Sequence, residues 1–550
     1  MSKVSRCFLH RKPKVSSTLK AGYLYPIFVK PTLPGDDWTF SVNDVIRSLP
    51  MLAPNYADVS VSVQAFYVEN RLLMDDWWDF RTGGQKNDNN SVLPYMLHSH
   101  AKGDVGFGSL TDFLSTAPAL TFYTKNNNGV YAPNNKVGRS RCFAERGYAK
   151  IINDWYINQN IQEFLPLSTA NGNEGEDTVT NRMLFKRNWN HDYFTNMFNT
   201  QQKGPQAIIP IGATAPVIGT GTGIGLTNGG NIQGSLWRVP TGSSTWQLTG
   251  YNQTPSNLPN TSVTQMSFGS GSFEVGLSQD AANSGLIADL SNSTGIPIST
   301  INLAVAGQKL ATQLLLHGSR SVEWLQHIFN VRSSDARLDR SSFLGSFTTD
   351  IVISPVMQTS STDATSPQGN MSGNGFHSMG TGNFRCYCEE DGWIFVMCSI
   401  RPRTQYAQGL PAYHNYSVKS DYPIPQFAHL DFTLAKNSEI YYQAVENGNE
   451  DTDWESSTLE DNQGFGFHPI FQEWRTFPSE VHGEFLNTMQ YYTQARLFDN
   501  LPKLNAEFIQ CTPTQRQFAD TSENDKYLAD FMFDIKLKRR LPKFGTPRYF

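Results

Sequence analysis

Two segments near opposite ends of the chain alternate between apolar and polar side chains. In residues 57–72 and 530–542, most apolar side chains fall on every second position. Because successive side chains of a strand point to opposite faces, this period of two predicts strands with one buried face. The apolar positions are Val59, Val61 and Val63 in the first segment and Phe531, Phe533, Ile535 and Leu537 in the second. A chain built on such segments is expected to be mainly β.

Two further strand predictions carry specific local signals. In residues 348–357, Pro355 indicates an edge or a bend, because proline cannot donate to the hydrogen-bond ladder. In residues 384–400, Asp391-Gly392 lies between two β-prone runs, a turn signal that predicts a hairpin. Strands dispersed in this way, with long connections between them, favour an antiparallel sandwich elaborated by insertions.

Helical patterns are few and short. Residues 299–318 predict the longest helix, and residues 71–80 and 321–329 predict two shorter ones. The apolar stripe of the longest helix consists of Leu303, Ala306, Leu310 and Leu314.

Residues 205–300 form a block with almost no charge. It contains one cation, Arg238, and three anions, Glu274, Asp280 and Asp289. Its alternating-glycine run never gives the G-x-G-x-x-G spacing of a dinucleotide site. Apolar side chains recur through the block and require a core, so an ordered, mostly β insertion is expected rather than a disordered segment.

Both ends of the chain are cationic. Residues 1–20 and 536–550 carry Lys and Arg but no Asp or Glu, although the net charge of the whole chain is −5. Two cationic ends on an anionic body can bind a polyanion without reading its sequence, although charged termini also arise from solvation alone. The candidate DNA-contacting residues are Lys3, Arg6, Arg11, Lys12 and Lys14 near the start and Lys536, Lys538, Arg539, Arg540 and Lys543 near the end.

No catalytic, cofactor or metal site is predicted. Adjacent carboxylates such as Asp36 and Asp37 point to opposite faces of a strand, so they cannot flank one bond. The NGNEDTD loop at 447–453 has Thr452 and Thr458 where a calcium loop needs Gly and Glu. The cysteines form no disulfide or zinc framework. We therefore expect no enzyme, and a secreted or tail-borne β-rich glycan-binding protein stays open as an alternative.

The composition favours contacts between copies of the chain. Only 17% of its residues are charged, against about 25% in typical proteins. Neutral polar groups replace the missing charges, and charged side chains are depleted at the centres of protein interfaces. No leader pattern and no long apolar run occurs, which predicts synthesis in a reducing cytoplasm and no membrane anchor.

Seven segments are spread over most of the chain in a fixed order. They are LPGDDW (33–38), the strand and Asn-Arg-Leu segment at 53–80, DYFT with QKGP (192–205), VRSSDARLDRSSFLGS (331–346), IRPRTQYAQGL (400–410), DYPIPQFAHL (421–430) and LPKFGTP (541–547). This series resembles the major capsid protein of the Microviridae, in its gokushovirus-like form. The chain departs from that pattern at Glu69 and Ser341, where proline is usual, and it lacks the prolines common in 196–202.

The resemblance implies an eight-stranded antiparallel jelly roll of the viral capsid type, with large loop insertions and a few short helices. Copies of such a protein would form a T = 1 icosahedral shell around circular single-stranded DNA. The shell would be made in the host bacterial cytoplasm and would end in the virion. A small basic DNA-binding or scaffolding protein and a host surface receptor are further expected partners.

Five regions are expected along the chain. In gokushovirus-like members the insertion after the DYFT segment forms a protrusion at the threefold axis, which implies a receptor-facing surface for the neutral block. The regions are a basic arm (1–20), the first part of the jelly roll (21–204), the neutral insertion (205–300), the rest of the jelly roll with the helical pair (301–535) and a basic tail (536–550).

Overall fold

The computed structural model describes most of the chain outside the neutral block. Two compact units are distinguished, one formed by residues 1–203 with 312–550 and the other by residues 204–311. The described ranges are 6–83, 91–126, 129–174, 180–205, 298–317, 320–332, 339–357, 371–443, 460–520 and 524–542, with residues 334, 359 and 522 and short strands between 217 and 288.

Strands outnumber helices in the described part of the chain. The strands are β1 (Cys7–Arg11), β2 (Lys14–Leu19), β3 (Leu24–Thr32), β4 (Asp37–Ser48), β5 (Val59–Glu69), β6 (Tyr95–His98), β7 (Tyr123–Lys125), β8 (Tyr131–Pro133), β9 (Gly138–Arg141), β10 (Val217–Gly219), β11 (Gly225–Thr227), β12 (Gly234–Ser235), β13 (Gly276–Leu277), β14 (Leu286–Ala288), β15 (Ser342–Asp350), β16 (Val352–Met357), β17 (Met371–Gly380), β18 (Phe384–Tyr387), β19 (Gly392–Pro402), β20 (Phe432–Lys436), β21 (Gly464–Pro469) and β22 (Tyr527–Arg539). The helices are α1 (Trp77–Thr82), α2 (Leu110–Phe113), α3 (Phe143–Trp155), α4 (Ile298–His317), α5 (Ser321–Phe329) and α6 (Ala506–Ile509).

Two antiparallel sheets form the framework of the first unit. A seven-stranded sheet runs in the order β1-β22-β4-β17-β16, with β18 also paired to β4 and β2 also paired to β22. A four-stranded sheet runs in the order β15-β5-β19-β3. The prediction of a mainly β, antiparallel capsid-type fold with few short helices is confirmed at this level of description.

The main hydrophobic core lies between these two sheets. The alternation seen in the sequence is borne out, because Val61 and Val63 of β5 and Phe531 and Phe533 of β22 are all buried in one cluster. Phe28 of β3 meets Phe533 across the sandwich, with ring centroids 4.7 Å apart. Each sheet therefore buries one face, as a period of two requires.

The four-stranded sheet is also covered on its second face. Phe395 and Met397 of β19 pack there with Tyr148 and Ile152 of α3. Gly147 makes this close approach possible, since a Cβ at that position would lie 2.5 Å from a ring carbon of Phe395. Burial on both faces explains why β19 has a nearly continuous apolar sequence instead of an alternating one.

The hairpin predicted over residues 384–400 is wrong. β18 pairs with β4 in the seven-stranded sheet, whereas β19 pairs with β3 and β5 in the other sheet. The Asp391-Gly392 turn thus connects the two layers of the sandwich. A turn signal reports that the chain changes direction, but pairing depends on which strand offers a matching buried face, and that is a tertiary property.

Other local predictions are confirmed only in part. The single strand predicted over residues 348–357 divides at Ile351 between β15 of the four-stranded sheet and β16 of the seven-stranded sheet, and Pro355 lies in β16 at the edge of the latter sheet. Helices α4 and α5 occur where they were predicted, while the helix expected over 71–80 begins later, at Trp77. Two side chains of the predicted α4 stripe are exposed, Leu303 at 74% and Leu310 at 44%.

Candidate nucleic-acid interface

The two ends of the chain are brought together in one sheet. β22 lies between β4 on one side and β1 and β2 on the other. In the register of β1 and β22, Cys7 lies opposite Arg539 and His10 lies opposite Lys536. Residues separated by more than five hundred positions in the sequence are therefore direct neighbours. The stretch expected to be a basic arm is extended, but most of it is built into the sheet as β1 and β2.

The outward side chains of these three strands form a surface that we call the terminal face. Because Phe531, Phe533 and Ile535 point into the core, the alternate residues of β22 point outward, and Lys536 and Lys538 are exposed. The outward residues of β1 and β2 include Phe8, His10, Lys14, Ser16 and Thr18, all of them exposed. The face thus combines cations from both ends of the chain.

Two cations and one imidazole on this face already contact carboxylates. Lys14 lies 3.1 Å from Asp530, Lys538 lies 3.1 Å from Asp37, and His10 lies 2.5 Å from Asp534. Hydrogen bonds from Ser16 and Lys14 lower the pKa of Asp530, and the bond from His10 lowers the pKa of Asp534. These contacts are open to solvent, so salt screens them and a polyanion can compete for the cations.

Arg539 differs from the other candidate residues because its guanidinium is used inside the protein. Nε and Nη2 donate to the carboxylate of Asp36 at distances of 2.7 to 3.1 Å, and Nη2 lies 3.3 Å from the carbonyl oxygen of Pro31. Asp36 is completely buried. The LPGDDW turn between β3 and β4 is therefore tied to the end of β22, and a DNA contact by Arg539 stays a prediction.

The structure describes five of the seven remaining candidate residues. Lys3 and Lys543 lie outside the described residues. Within the described ranges, no ion pair is recorded for Arg6, Arg11, Lys12, Lys536 and Arg540, all of which are exposed. Two of the five still have an anion nearby, because the charges of Lys12 and Lys536 help to lower the pKa of Asp534. Since phosphate oxygens accept bonds from any Lys or Arg without regard to the base, such groups suit sequence-independent binding.

The DYFT segment has a structural role. One oxygen of Asp192 accepts bonds from the backbone N–H groups of Phe194 and Thr195 at 3.0 and 2.7 Å. The other oxygen accepts the hydroxyl of Thr404 at 2.5 Å and that of Tyr406 at 2.8 Å. Two segments of the capsid-like series, DYFT and IRPRTQYAQGL, are thus joined through one carboxylate.

A cluster of titratable groups beside this segment was not foreseen from the sequence. The hydroxyl of Tyr193 donates to Glu439 at 2.7 Å and lies 3.1 Å from Nε2 of His468. Burial raises the pKa of Glu439 to about 7, and burial with the charge of Glu439 raises the pKa of Tyr193. Hydrogen bonds between buried side chains thus join the DYFT segment to Glu439 and His468. The members of this cluster are distant in sequence, and no spacing rule would have linked them.

The described residues offer neither a metal site nor a membrane-spanning helix. In the ranges that the structure describes, no three His, Cys, Asp or Glu side chains converge in a way that could hold a metal ion. The NGNEDTD loop falls outside those ranges. Cys386 and Cys388 lie with their sulfur atoms 3.8 Å apart, and both are buried. None of the described helices combines the length and the apolar character needed to cross a bilayer.

Comparison with known proteins gives a consistent result. The chain is 28% identical over 596 residues to the capsid protein VP1 of Chlamydia phage 1, with 99% of this chain and 96% of that protein covered. It is 29% identical over 568 residues to the capsid protein VP1 of Bdellovibrio phage phiMH2K, with 99% and 96% covered. The capsid protein VP1 of Spiroplasma virus 4 is 28% identical over 579 residues, with 99% and 95% covered.

A family model gives the same result over nearly the whole chain. The model described as capsid protein (F protein) matches residues 1–549. The resemblance inferred from the seven ordered segments is confirmed, and it places the protein in the virion as a structural component. The chain belongs to the capsid protein (F protein) family.

Proposed function

We propose that copies of this chain build a small T = 1 icosahedral shell around circular single-stranded DNA, with the terminal face turned toward the genome. The proposed orientation of the chain in the shell rests on the pairing of β1 and β2 with β22, which places cations from both chain ends on one surface. A shell repeats this surface many times by symmetry, so weak individual phosphate contacts add up.

Assembly requires surfaces that copies of the chain can share. Apolar side chains that a second copy covers on assembly would contribute hydrophobic stabilisation to the shell. Among the described residues, the most exposed large apolar side chains include Phe477 at 87%, Ile298 at 75% and Leu303 at 74%. The protein would function by assembling into a closed shell rather than by converting a substrate. This function requires no catalytic residue and no cofactor.

Packaging of DNA tests the role of the terminal face. Changing Arg6, Lys12, Lys536 and Arg540 together to Gln removes four exposed cations that lie on the three strands of the terminal face or directly next to them. We expect shells to form with reduced DNA content, measured as the ratio of absorbance at 260 and 280 nm in purified particles. A matched variant with Gln at Lys125, Lys136, Arg332 and Lys419 removes the same charge from other exposed positions. Equal DNA content in the two variants would contradict the orientation.

The neutral block suits contact with the host. A surface segment of small neutral side chains tolerates sequence change, as receptor-facing loops do. Deletion of residues 215–295 should leave the sandwich able to fold while altering attachment to the host cell. Recovery of only insoluble protein would mean that the block is part of the folding core instead. Synthesis in the host bacterial cytoplasm and help from a small basic protein complete the proposal.

A further inference from the structure

Two aromatic rings lie on the outer side of the seven-stranded sheet at positions that the strand register fixes. Phe8 of β1 lies opposite Lys538 of β22, and Tyr387 of β18 lies opposite Asp37 of β4. Lys538 and Asp37 are themselves opposite each other. Residues that lie opposite each other on antiparallel strands share one face of the sheet, so these four side chains form a line across the terminal face and onto β18. We call this line the aromatic row.

Both rings of the aromatic row are open to solvent. Phe8 is 55% exposed and Tyr387 is 54% exposed, whereas their chain neighbours Cys7 and Cys386 are buried. Among the residues that the structure describes, neither ring packs against another aromatic ring. One exposed aromatic side chain is ordinary on a soluble protein and needs no explanation. The position of these two rings relative to cations of the same face is more specific.

A second line of side chains lies two residues further along each strand. His10 of β1 lies opposite Lys536 of β22, and Arg385 of β18 lies opposite Thr39 of β4. Lys536 and Thr39 are also opposite each other, and we call this line the cationic row. Lys536 and Arg385 are exposed, and no ion pair is recorded for either within the described ranges, although the charge of Lys536 acts on Asp534. The sequence did not indicate Arg385 as a DNA contact.

The dimensions of a β-sheet set the spacing of these groups. Three interstrand distances of about 4.8 Å separate the backbones that carry the two rings by roughly 14 Å. The two rows are about 7 Å apart, because they differ by two residues along each strand. Stacked bases follow each other at about 3.4 Å along one strand of duplex DNA, so each ring would receive a separate base. A DNA strand that crosses the sheet over the aromatic row would keep its phosphates beside the cationic row.

We propose that the aromatic row stacks on bases of single-stranded DNA while the cationic row binds the adjoining phosphates. Aromatic rings beside cations hold unpaired bases without selecting their sequence, because every base has a π-face. The two rows together contain three permanent cations and one carboxylate. This positive balance favours a polyanion over a second copy of an anionic chain. The inference rests on the proposed function, because it assumes that the terminal face meets DNA.

The affinities of two matched oligonucleotides test the proposal. The probes are an oligothymidylate and an abasic strand of equal length, titrated with the unassembled full-length protein and followed by fluorescence anisotropy. Phe8→Ala and Tyr387→Ala should each weaken binding of the oligothymidylate about five-fold or more, which is the lower end of what one stacked base contributes. Their affinity for the abasic strand should stay unchanged. Lys536→Gln should weaken binding of both strands, because it removes a phosphate contact.

Two control variants separate stacking from other effects of the substitutions. Tyr387→Phe keeps the ring and should keep the wild-type affinity for oligothymidylate. Phe164→Ala removes a similarly exposed ring elsewhere in the first unit and should leave both affinities unchanged. Weaker binding of oligothymidylate by Phe164→Ala, to the same extent as by Phe8→Ala, would overturn the assignment to the aromatic row.

Photocrosslinking gives an independent measurement on the wild-type protein. A DNA strand that carries 5-iodouracil forms crosslinks with aromatic side chains that stack on the modified base. The crosslinked peptides should contain Phe8 or Tyr387. Crosslinks found only elsewhere would overturn the assignment even if a variant failed to fold.

The possible outcomes distinguish this inference from the proposed function. A wild-type protein that binds neither strand would contradict both. Unchanged affinity of the two alanine variants for oligothymidylate, together with weaker binding by Lys536→Gln, would overturn the stacking alone and leave the cationic contacts intact. Loss of shell formation in the alanine variants with unchanged affinity for DNA would show that a second copy of the chain covers the rings, and this too would overturn the inference.

Discussion

Arg539, near the end of the chain, donates to both carboxylate oxygens of Asp36, which is completely buried in the turn before β4. A buried carboxylate is costly without a charged partner, so this pair fixes the end of β22 onto the rest of the sheet. It also positions the neighbouring Lys538 on the terminal face. The same short cationic segment thus serves both the fold and the surface proposed to meet DNA.

Removal of Arg539 should destabilise the protein strongly. Arg539→Ala leaves the buried charge of Asp36 without its partner, and we expect a loss of about 3–5 kcal/mol in the free energy of unfolding. Urea denaturation followed by tryptophan fluorescence measures this loss. Lys538→Ala is the matched control, because its pair with Asp37 is exposed, and it should change stability by no more than about 1 kcal/mol. Similar losses in the two variants would show that the buried pair of Arg539 and Asp36 stabilises the fold no more than the exposed pair of Lys538 and Asp37 does.

The salt dependence of DNA binding should report the number of phosphate contacts. Each contact to single-stranded DNA contributes about 0.7 to the slope of log affinity against log salt. Changing Lys12 and Lys536 to Gln should therefore make the slope shallower by about 1.4 if both residues contact phosphate. The measurement is a titration of oligothymidylate at several sodium chloride concentrations. An unchanged slope would remove both residues from the interface.

Stability should fall as pH rises from about 4 to about 7 because of Glu439. Burial raises the pKa of its carboxyl to about 7, whereas the ordinary value is about 4.3. The folded state therefore holds the proton more strongly than the unfolded state does, and this contribution is present below pH 4 and lost as pH approaches 7. The size of the effect is on the order of 3 kcal/mol.

The variant Glu439→Gln isolates this contribution. Glutamine has no proton to lose, so the difference in unfolding free energy between wild type and variant should change with pH only between about 4 and 7. Denaturation midpoints of both proteins across that range give the measurement. A constant difference would mean that Glu439 titrates normally.

The same substitution at two helical glycines should have opposite effects. Gly147→Ala in α3 would place a Cβ 2.5 Å from the ring of Phe395, and overpacking of this kind costs about 1–3 kcal/mol. Gly307→Ala in α4 meets nothing within 4 Å and should gain up to about 1 kcal/mol from helix propensity. Thermal denaturation of the two variants would distinguish them by the sign of the change in Tm. A loss of stability at both positions would indicate that Gly307 is in close contact with other residues in solution.

The pH response of His377 should have the same direction as that of Glu439. Burial would lower the pKa of this imidazole, but the carboxylate of Asp44, 3.3 Å away, and the carbonyl of Asp350 outweigh it and raise the pKa. The ion pair is thus intact below about pH 6.5 and is lost as pH rises through the higher folded value. His377→Gln, compared with wild type between pH 6 and 9, should remove this decline. If stability still declines with pH in the double variant His377→Gln with Glu439→Gln, groups other than these two cause the decline.

By itself the sequence determined the period of its strands, the places of α4 and α5, the cationic ends and the family. These features depend on residue type and on the spacing of residues along the sequence, and both exist before the chain folds. Tertiary structure alone decided that β18 and β19 belong to different sheets, that β1 and β2 pair with β22, and that Arg539 lies on Asp36. Strand pairing and side-chain convergence join residues hundreds of positions apart, and the free energy that selects them comes from matching buried faces, which no local pattern contains.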